Sequence, residues 1–128
     1  MTDQILIEAA MEAQSRCYCP YSSFPVSAAL LADSGQIYTG VNVENASYGL
    51  TICAERVAIG SAIAAGERKF EKLVVVVKGG GSPCGACRQV LNEFSPELPI
   101  IMVDELGNIA SRITLSELLP RAFGPESL

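Results

Sequence analysis

The chain is 128 residues long, and this length predicts one domain over residues 1–128, built around a single core. Nine basic and fourteen acidic residues give a net charge of −5, which argues against a nucleic-acid partner because polyanion-binding domains are normally basic. The amino terminus has no export signal and no apolar run is long enough to cross a membrane, so we expect a cytoplasmic chain without a membrane partner. Hydrophobic residues make up 49%, which predicts that sister subunits cover part of the surface.

The first half of the chain predicts a helix, a hairpin and a second helix. Apolar residues recur at helical spacing over residues 3–16. Residues 26–31 and 37–43 have the pattern of strands, and the Asp-Ser-Gly turn sequence between them indicates an antiparallel hairpin. After a loop, a helix is predicted from about residue 53 to residue 65, where a glycine favours its end.

The second half alternates strands with helices. Residues 72–78 contain the continuous apolar run Leu-Val-Val-Val-Val, which is typical of a strand buried on both faces. A helix over residues 84–94, a strand over 99–103 and a short strand over 109–112 follow. A Thr-Leu-Ser-Glu capping box at residues 114–117 predicts a last short helix. Helices between central strands require crossovers, so the order predicts a mixed sheet sandwiched by helices.

The cysteine and histidine counts narrow the chemistry. The chain has five cysteines and no histidine. An odd number of cysteines in a chain that is not secreted favours metal binding or catalysis over a disulfide framework. The absence of imidazole excludes serine–histidine hydrolases and HExxH peptidases.

Two short segments at predicted helix N-termini carry the candidate chemistry. One contains Cys53 followed by Ala-Glu55, and the other contains Cys84 and Cys87 in a Pro-Cys-Gly-Ala-Cys sequence. A helix N-terminus lowers the pKa of a thiol because free N–H groups and the helix dipole favour the thiolate. Three converging thiolates predict a zinc site with one open corner, which is the catalytic arrangement. Glu55 lies close enough in sequence to act as acid and base on a water in that corner.

These two segments resemble the three-cysteine variant of the zinc nucleobase deaminases. The resemblance covers nearly the whole chain, and the segments are similar to those of the small homotetrameric cytidine deaminases. The segments are FPVSAAL at 24–30, NVENASYG at 42–49, TICAER at 51–56, PCGACRQVL at 83–91, and LLP with FGP between 118 and 125. Ser27 departs from the family, which usually has glycine there, and we expect the added side chain to crowd the pocket.

The resemblance implies both a fold and a reaction. The fold is a three-layer α/β/α sandwich with a mixed five-stranded sheet. The reaction is the hydrolysis of cytidine or deoxycytidine to uridine or deoxyuridine with release of ammonia, a step of pyrimidine salvage. It implies one zinc ion per subunit held by Cys53, Cys84 and Cys87, no organic cofactor, a small nucleoside substrate and a homotetramer. Glu55 then takes a proton from the zinc-bound water, delivers it to ring nitrogen N3 and protonates the departing amine.

The resemblance also implies roles for further residues. Asn42 and Glu44 match positions that hydrogen-bond the ribose, Phe24 lies along the pyrimidine ring, and the backbone of Ala54 contacts the polar edge of the base. Three positions are expected to complete pockets of neighbouring subunits: Ala46, Tyr48 and Phe123. Three thiolates and Zn²⁺ sum to −1, and Arg56 is the candidate for offsetting this charge as a partner of the thiolates.

Several alternatives remain open at the level of the sequence. Cys17 and Cys19 could join Cys84 and Cys87 in a closed structural zinc site. Two phenylalanines, at 24 and 123, also fit a plain core role, and Asn42 also fits a turn. A non-catalytic zinc module and a deaminase of another substrate are competing functions. Blasticidin-type deaminases share the Cys-Ala-Glu and Pro-Cys-Gly elements but lack the Asn-Ala-Ser-Tyr and Phe-Pro-Val sequences.

Overall fold

A computed structural model describes residues 2–128. Within this range the chain forms five strands and four α-helices, in the alternating order that the sequence predicts. Their bounds are α1 Asp3–Ala13, β1 Val26–Ala32, β2 Ile37–Val41, α2 Ala54–Ala64, β3 Phe70–Val77, α3 Gly85–Phe94, β4 Pro99–Val103, β5 Ile109–Thr114 and α4 Leu115–Leu118. No helix in residues 2–128 combines the length and apolar character needed to span a bilayer.

The strands form one mixed sheet in the order β2-β1-β3-β4-β5. β1 and β2 pair antiparallel as the predicted hairpin, and β1 also pairs antiparallel with β3. β3 and β4 are parallel because α3 crosses between them, and β5 returns antiparallel to β4. The predicted mixed five-stranded sheet is confirmed.

Helices cover the two faces of the sheet as separate apolar layers. On one face α1 packs through Leu6, Ile7 and Ala10 against alternate residues of β1, β3 and β4. On the other face α2 and α3 contribute Ala58 and Leu91 to the larger core cluster. β3 supplies side chains to both layers, as its continuous apolar run predicts. The three-layer α/β/α architecture is therefore confirmed.

The predicted element bounds differ from the structure mainly at their ends. The predicted first helix continues after Ala13 only as a single 3₁₀ turn. β2 ends at Val41 because Val43 leaves the hairpin and pairs with Ile52 across an isolated bridge. The predicted left-handed cap of α2 is confirmed, since Gly66 has a φ of 99°.

The register of the central strands brings three strand ends together. Val26, the first residue of β1, pairs with Val77, the last residue of β3. Ser27 pairs with Val41, the last residue of β2. The segments that lead into α2 and α3 therefore start from the same end of the sheet, which we call the site end.

Ser27 lies on the α1 face of the sheet. Its side chain is fully buried, and its Oγ is 2.6 Å from the carbonyl oxygen of Ala10 and 2.5 Å from Oε1 of Gln14. Successive side chains on a strand point to opposite faces, so the neighbouring Ala28 faces α2. The expectation that Ser27 crowds the pocket is wrong, because its hydroxyl points to the end of α1.

Replacing Ser27 with alanine is expected to cost stability and to leave catalysis unchanged. The substitution removes the hydroxyl donor from a buried carbonyl near the end of α1, which costs about 1–3 kcal/mol in the free energy of unfolding. Urea denaturation of wild type and Ser27→Ala measures the loss, and the turnover rate at saturating substrate serves as the control. Equal stability of the two proteins would contradict this account of Ser27.

Candidate active site

Two helix N-termini bring three cysteines together at the site end of the sheet. Cys53 is the N-cap residue of α2, and Cys84 is the N-cap residue of α3. Cys87 lies in the first turn of α3, three residues after Cys84. Free N–H groups in these first turns and the positive ends of the helix dipoles favour negative charge on sulfur.

The three sulfur atoms have the spacing of metal ligands. Sγ of Cys53 is 3.8 Å from Sγ of Cys84, which is 3.5 Å from Sγ of Cys87. All three lie within 4.8 Å of one another. Sulfurs ~2.3 Å from a tetrahedral zinc stand roughly 3.8 Å apart, so these distances fit zinc. Three ligands leave one corner of the tetrahedron for a water or a substrate atom.

Cys17 and Cys19 take no part in this cluster. The group of potential ligands found among residues 2–128 contains only the cysteines at 53, 84 and 87. The Cys17 thiol donates a hydrogen bond to the carbonyl oxygen of Val26 at 3.1 Å. The alternative of a closed four-cysteine site built from Cys17 and Cys19 is therefore wrong.

The thiols of the cluster differ in acidity. The hydrogen bond from Cys87 lowers the pKa of Cys53 to about 5, and Arg56 acts in the same direction. Conversely, donation to Cys53 and burial raise the pKa of Cys87. Of these two thiols, Cys53 is therefore the more acidic in the metal-free cluster.

Arg56 places a positive charge beside the sulfur atoms. Its Nη2 is 3.6 Å from Sγ of Cys53, and this contact raises the pKa of the guanidinium. Its Nε is buried and has no hydrogen-bond partner within residues 2–128. A buried donor without an acceptor costs free energy, so the side chain is held there by its attraction to the thiolates. The buried Glu55 and the sulfur contact of Arg56 distinguish these two neighbours from a pair of charges on a solvated helix face.

Glu55 is a buried carboxyl group next to the thiols. Only 4% of the residue is exposed, and it lies in the first turn of α2. Burial raises its pKa above the ordinary value because a low-dielectric environment disfavours the carboxylate. A carboxyl group in this environment holds a proton more readily than an exposed one and can release it again to a neighbouring group.

A cavity of about 330 Å³ opens beside the cysteine cluster. Several residues predicted from the sequence line it: Phe24, Asn42, Cys53, Ala54, Glu55 and Cys84. The sequence reasoning missed other lining residues: Val26, Thr51, Val75, Val77, Lys78, Gly81 and Ser82. For the strand residues among them the missing information was the register, since Val26 and Val77 are paired across β1 and β3.

Gly40 allows α2 to approach the sheet closely at this point. A Cβ atom on Gly40 would stand 2.1 Å from the carbonyl oxygen of Ala54 and 2.6 Å from the nitrogen of Ala58. No larger residue fits without moving the helix backbone. Because Gly40 has no side chain, the first turn of α2, which carries Glu55, can lie close to β2.

Asn42 and Glu44 both fix loops beside the cavity. The Asn42 amide donates to the carbonyl of Phe24 at 2.9 Å and accepts from the N–H of Val26 at 3.2 Å. The Glu44 carboxylate accepts hydrogen bonds from the N–H groups of Tyr21 and Ser22 and from the Ser22 hydroxyl. Each polar side chain retains hydrogen-bonding capacity for a ligand, because an amide and a carboxylate each offer about four sites.

The other predicted pocket residues lie outside this cavity. Glu44 and Tyr48 line a second cavity of about 380 Å³, and Thr51 borders both cavities. Ala46 is exposed, and Tyr48 and Phe123 are 74% and 61% exposed. The plain core interpretation of Phe123 is wrong, since its side chain packs into neither core layer.

Comparison with known proteins relates this chain to one protein family. Residues 1–102 match the family described as the cytidine and deoxycytidylate deaminase zinc-binding region. A cytidine deaminase of Sporosarcina psychrophila is 47% identical over 96% of this chain and 92% of its own length. A probable cytidine deaminase of Dictyostelium discoideum is 43% identical over 95% of this chain and 84% of its own length.

Solved structures agree with the sequence comparison. The crystal structure of cytidine deaminase from Burkholderia pseudomallei superposes with a TM-score of 0.91 at 47% identity, covering 96% of this chain and all of that chain. Cytidine deaminase from Mycobacterium tuberculosis gives a TM-score of 0.83 at 39% identity, covering 97% of this chain and 99% of that chain.

Replacing Arg56 with glutamine is expected to weaken metal binding without unfolding the chain. Glutamine removes the positive charge beside Cys53, and loss of an outer-shell partner typically costs about 10–100-fold in metal affinity. Competition with a chromophoric zinc chelator measures the affinity. Arg16→Gln is the matched control, because Arg16, in the turn after α1, forms an exposed ion pair with Glu12 of that helix. Wild-type zinc affinity in Arg56→Gln would remove this role from Arg56.

Proposed function

This chain belongs to the cytidine and deoxycytidylate deaminase family, and from that premise we propose that it hydrolyses cytidine and deoxycytidine. The products are uridine or deoxyuridine and ammonia, and the role is pyrimidine salvage. The observation that carries the proposal is the buried Glu55 beside an open three-thiol cluster at a cavity of nucleoside size. The names of the matched relatives point to the same substrate class.

Three thiolates hold zinc in this proposal, and Glu55 moves the protons. Bound zinc is a Lewis acid that makes a water nucleophilic toward carbon C4 of the base. The Glu55 carboxylate accepts a proton from this water and delivers it to ring nitrogen N3, which makes C4 more electrophilic. Glu55 then carries the second proton of the water to the amino group, which leaves as ammonia. Burial of Glu55 favours the protonated form of its carboxyl group, which exists after each of the two proton uptakes from the water.

The remaining cavity residues hold and orient the nucleoside. Phe24 offers an apolar surface to the pyrimidine ring, and the backbone of Ala54 lies beside Glu55 for contact with the polar edge of the base. Asn42 in this cavity and Glu44 in the second cavity, which shares Thr51 with it, bond ribose hydroxyls with the hydrogen-bonding capacity that their loop contacts leave free. Such positioning matters because reacting groups must be held in a near-attack geometry.

The cytoplasm is the compartment that suits this chemistry. All five cysteines are unpaired. Thiols stay reduced in the cytosol, whereas oxidising compartments convert closely spaced cysteines to disulfides. A zinc site built from three thiolates therefore requires a reducing environment.

A direct assay tests the proposed reaction. Purified protein is assayed with cytidine, deoxycytidine, deoxycytidylate and blasticidin S, while its zinc content is measured. We expect ammonia release from the two nucleosides and one zinc per chain. Preferred turnover of blasticidin S or of deoxycytidylate by a zinc-loaded protein would replace the proposed substrate class with another.

Replacing Glu55 with glutamine separates an enzyme from a non-catalytic zinc module. Glutamine keeps the shape of the side chain but cannot carry protons, and general acid–base groups contribute about 10²–10⁴-fold to rate. We expect the turnover of Glu55→Gln to fall by that factor, while zinc content and the circular dichroism spectrum stay as in wild type. A variant as active as wild type would assign the proton transfers to another group.

We further propose a homotetramer in which neighbouring subunits complete each pocket. An apolar surface of exposed residues flanks the cavities, and it consists of Tyr18, Tyr21, Val43, Tyr48 and Ile52. Backbone bridges join three of its members, Tyr18, Val43 and Ile52, and the rings of Tyr21 and Tyr48 lie 5.9 Å apart. A contiguous apolar patch of this kind marks a protein interface. Ala46, Tyr48 and Phe123 then reach pockets of neighbouring subunits.

Complementation between two defective variants tests the shared sites. Glu55→Gln and Phe123→Ala chains, carried on different affinity tags, are co-expressed and purified as mixed assemblies. Some pockets of a mixed assembly combine an intact Glu55 with an intact Phe123 from a neighbour, so we expect activity above that of either variant alone. The masses of all assemblies, measured by light scattering, provide the control. Mixed tetramers without added activity would show that each pocket is complete within one chain.

A further inference from the structure

The three cysteines of the cluster are held in place by different means. Cys87 belongs to a helix. Cys53 follows Ile52, which exchanges two backbone hydrogen bonds of 2.9 Å with Val43. Cys84 is the exposed member and follows residues 78–83, a loop with three consecutive glycines. Glycine loses more conformational freedom on ordering than any other residue, so Cys84 has the least constrained approach.

Backbone pairing does not fix the last part of this loop. Gly80 donates to the carbonyl of Val77 at 2.8 Å and closes the turn after β3. Among residues 2–128, residues 81–83 enter none of the backbone–backbone hydrogen bonds formed outside helices and strands. The peptide unit that enters Cys84 therefore depends on side-chain contacts.

Arg88 supplies these contacts from within α3. Its Nε donates to the carbonyl oxygen of Pro83 at 2.8 Å, and its Nη2 donates to Oγ of Ser82 at 2.9 Å. Its Nη1 donates to the carbonyl oxygen of Leu118, the last residue of α4, at 2.8 Å. The carbonyl of Pro83 belongs to the planar peptide unit that includes the nitrogen of Cys84, so a bond to this oxygen orients the entry to Cys84.

The acceptors around Arg88 are all uncharged. Within the described chain the ion pairs involve Arg16, Lys72 and Arg112, and Arg88 forms none. A planar guanidinium fits three acceptors in a fixed fork, which a lysine ammonium cannot reproduce. The guanidinium thus holds the end of α4 and the loop at residues 82 and 83 against the start of α3, the helix that carries Arg88.

We propose that Arg88 is a positioning residue for metal binding, which holds the Cys84 thiolate at the ligand position by fixing residues 82 and 83. The proposal rests on the zinc site of the proposed function. It concerns the rate at which the site loses metal, which can be measured without any deamination assay. Arg88 does not itself line the cavity and takes no part in the sulfur hydrogen bonds. It therefore acts on the metal site through the loop residues it holds, Ser82 at the edge of the cavity and Pro83 before Cys84.

Zinc release to a chromophoric chelator tests the proposal on zinc-loaded wild type and variants. We expect Arg88→Met to release zinc about 10–100-fold faster, because partners outside the ligand shell contribute that much to metal affinity. Arg88→Lys keeps the charge and loses the fork, so it should also release zinc faster than wild type. Ser82→Ala removes one of the three acceptors and should have a smaller effect in the same direction.

Arg68→Met is the matched control. Arg68 also donates to backbone carbonyls, those of Ile63 and Glu67, at the far end of α2. We expect its loss to lower the melting temperature while zinc release stays within about twofold of wild type. Acceleration by Arg68→Met equal to that by the Arg88 variants would reduce Arg88 to a general structural role.

Cobalt substitution reports on the ligand directly. The thiolate-to-cobalt charge-transfer band should weaken in Arg88→Lys, since Cys84 is bound for less of the time. If Arg88→Met does not fold, Arg88→Lys and Ser82→Ala decide the question by both readouts. Wild-type release rates and spectra in these variants overturn the positioning role. A wild-type protein that binds no zinc instead contradicts the proposed function.

Discussion

The attraction between sulfur anions and the positive ends of two helices is the interaction on which the site depends. Three thiols and the buried carboxyl group of Glu55 lie together in a chain that has no histidine to provide a neutral ligand. Each further negative charge there is costly in a low-dielectric environment. The N-termini of α2 and α3 and the guanidinium of Arg56 offset this cost. A site of this composition cannot be moved to the middle of a helix or to a strand.

The sheet register makes this attraction possible by placing both helix starts at one end. β1 runs antiparallel to β2 and β3, so the beginning of β1 meets the ends of the other two strands. The opposite face of the sheet has no share in the chemistry. There α1 packs against alternate residues, and Ser27 bonds to the end of that helix. Binding and packing are thus divided between the two faces of the same strands. This division explains how a buried hydroxyl at Ser27 can lie near a pocket that it does not enter.

The grouping of the three thiols with Glu55 joins segments 31 residues apart, and it is predicted from the two cysteine segments and their resemblance to the zinc deaminases. Local patterns in the sequence predict the helices and strands, because each of these depends on neighbours within a few residues. The N-cap positions of Cys53 and Cys84 are an example, since loop and helix signals adjoin them. Contacts between distant segments could not be predicted in this way. The direction of the Ser27 side chain depends on which face α1 covers. The contact of Arg88 with Leu118 spans 30 residues, and its chemistry is that of backbone carbonyls, which leave no trace in the amino-acid sequence.

The carboxyl-terminal segment shows why a single chain leaves part of the predicted site unexplained. The carbonyl oxygen of Phe123 accepts from Nε2 of Gln89 at 2.8 Å and from Nδ2 of Asn92 at 3.3 Å, whereas its ring faces solvent. Ordering a backbone costs conformational entropy, and exposing an aromatic ring gives up the free energy of burying it. Within one chain, ordering the backbone of Phe123 brings no free energy from burying its ring. In the proposed homotetramer both costs are recovered, because the ring packs into a neighbouring copy. The helix that anchors Phe123 is the one whose first turn carries Cys87. Assembly and the thiol cluster are then linked through α3.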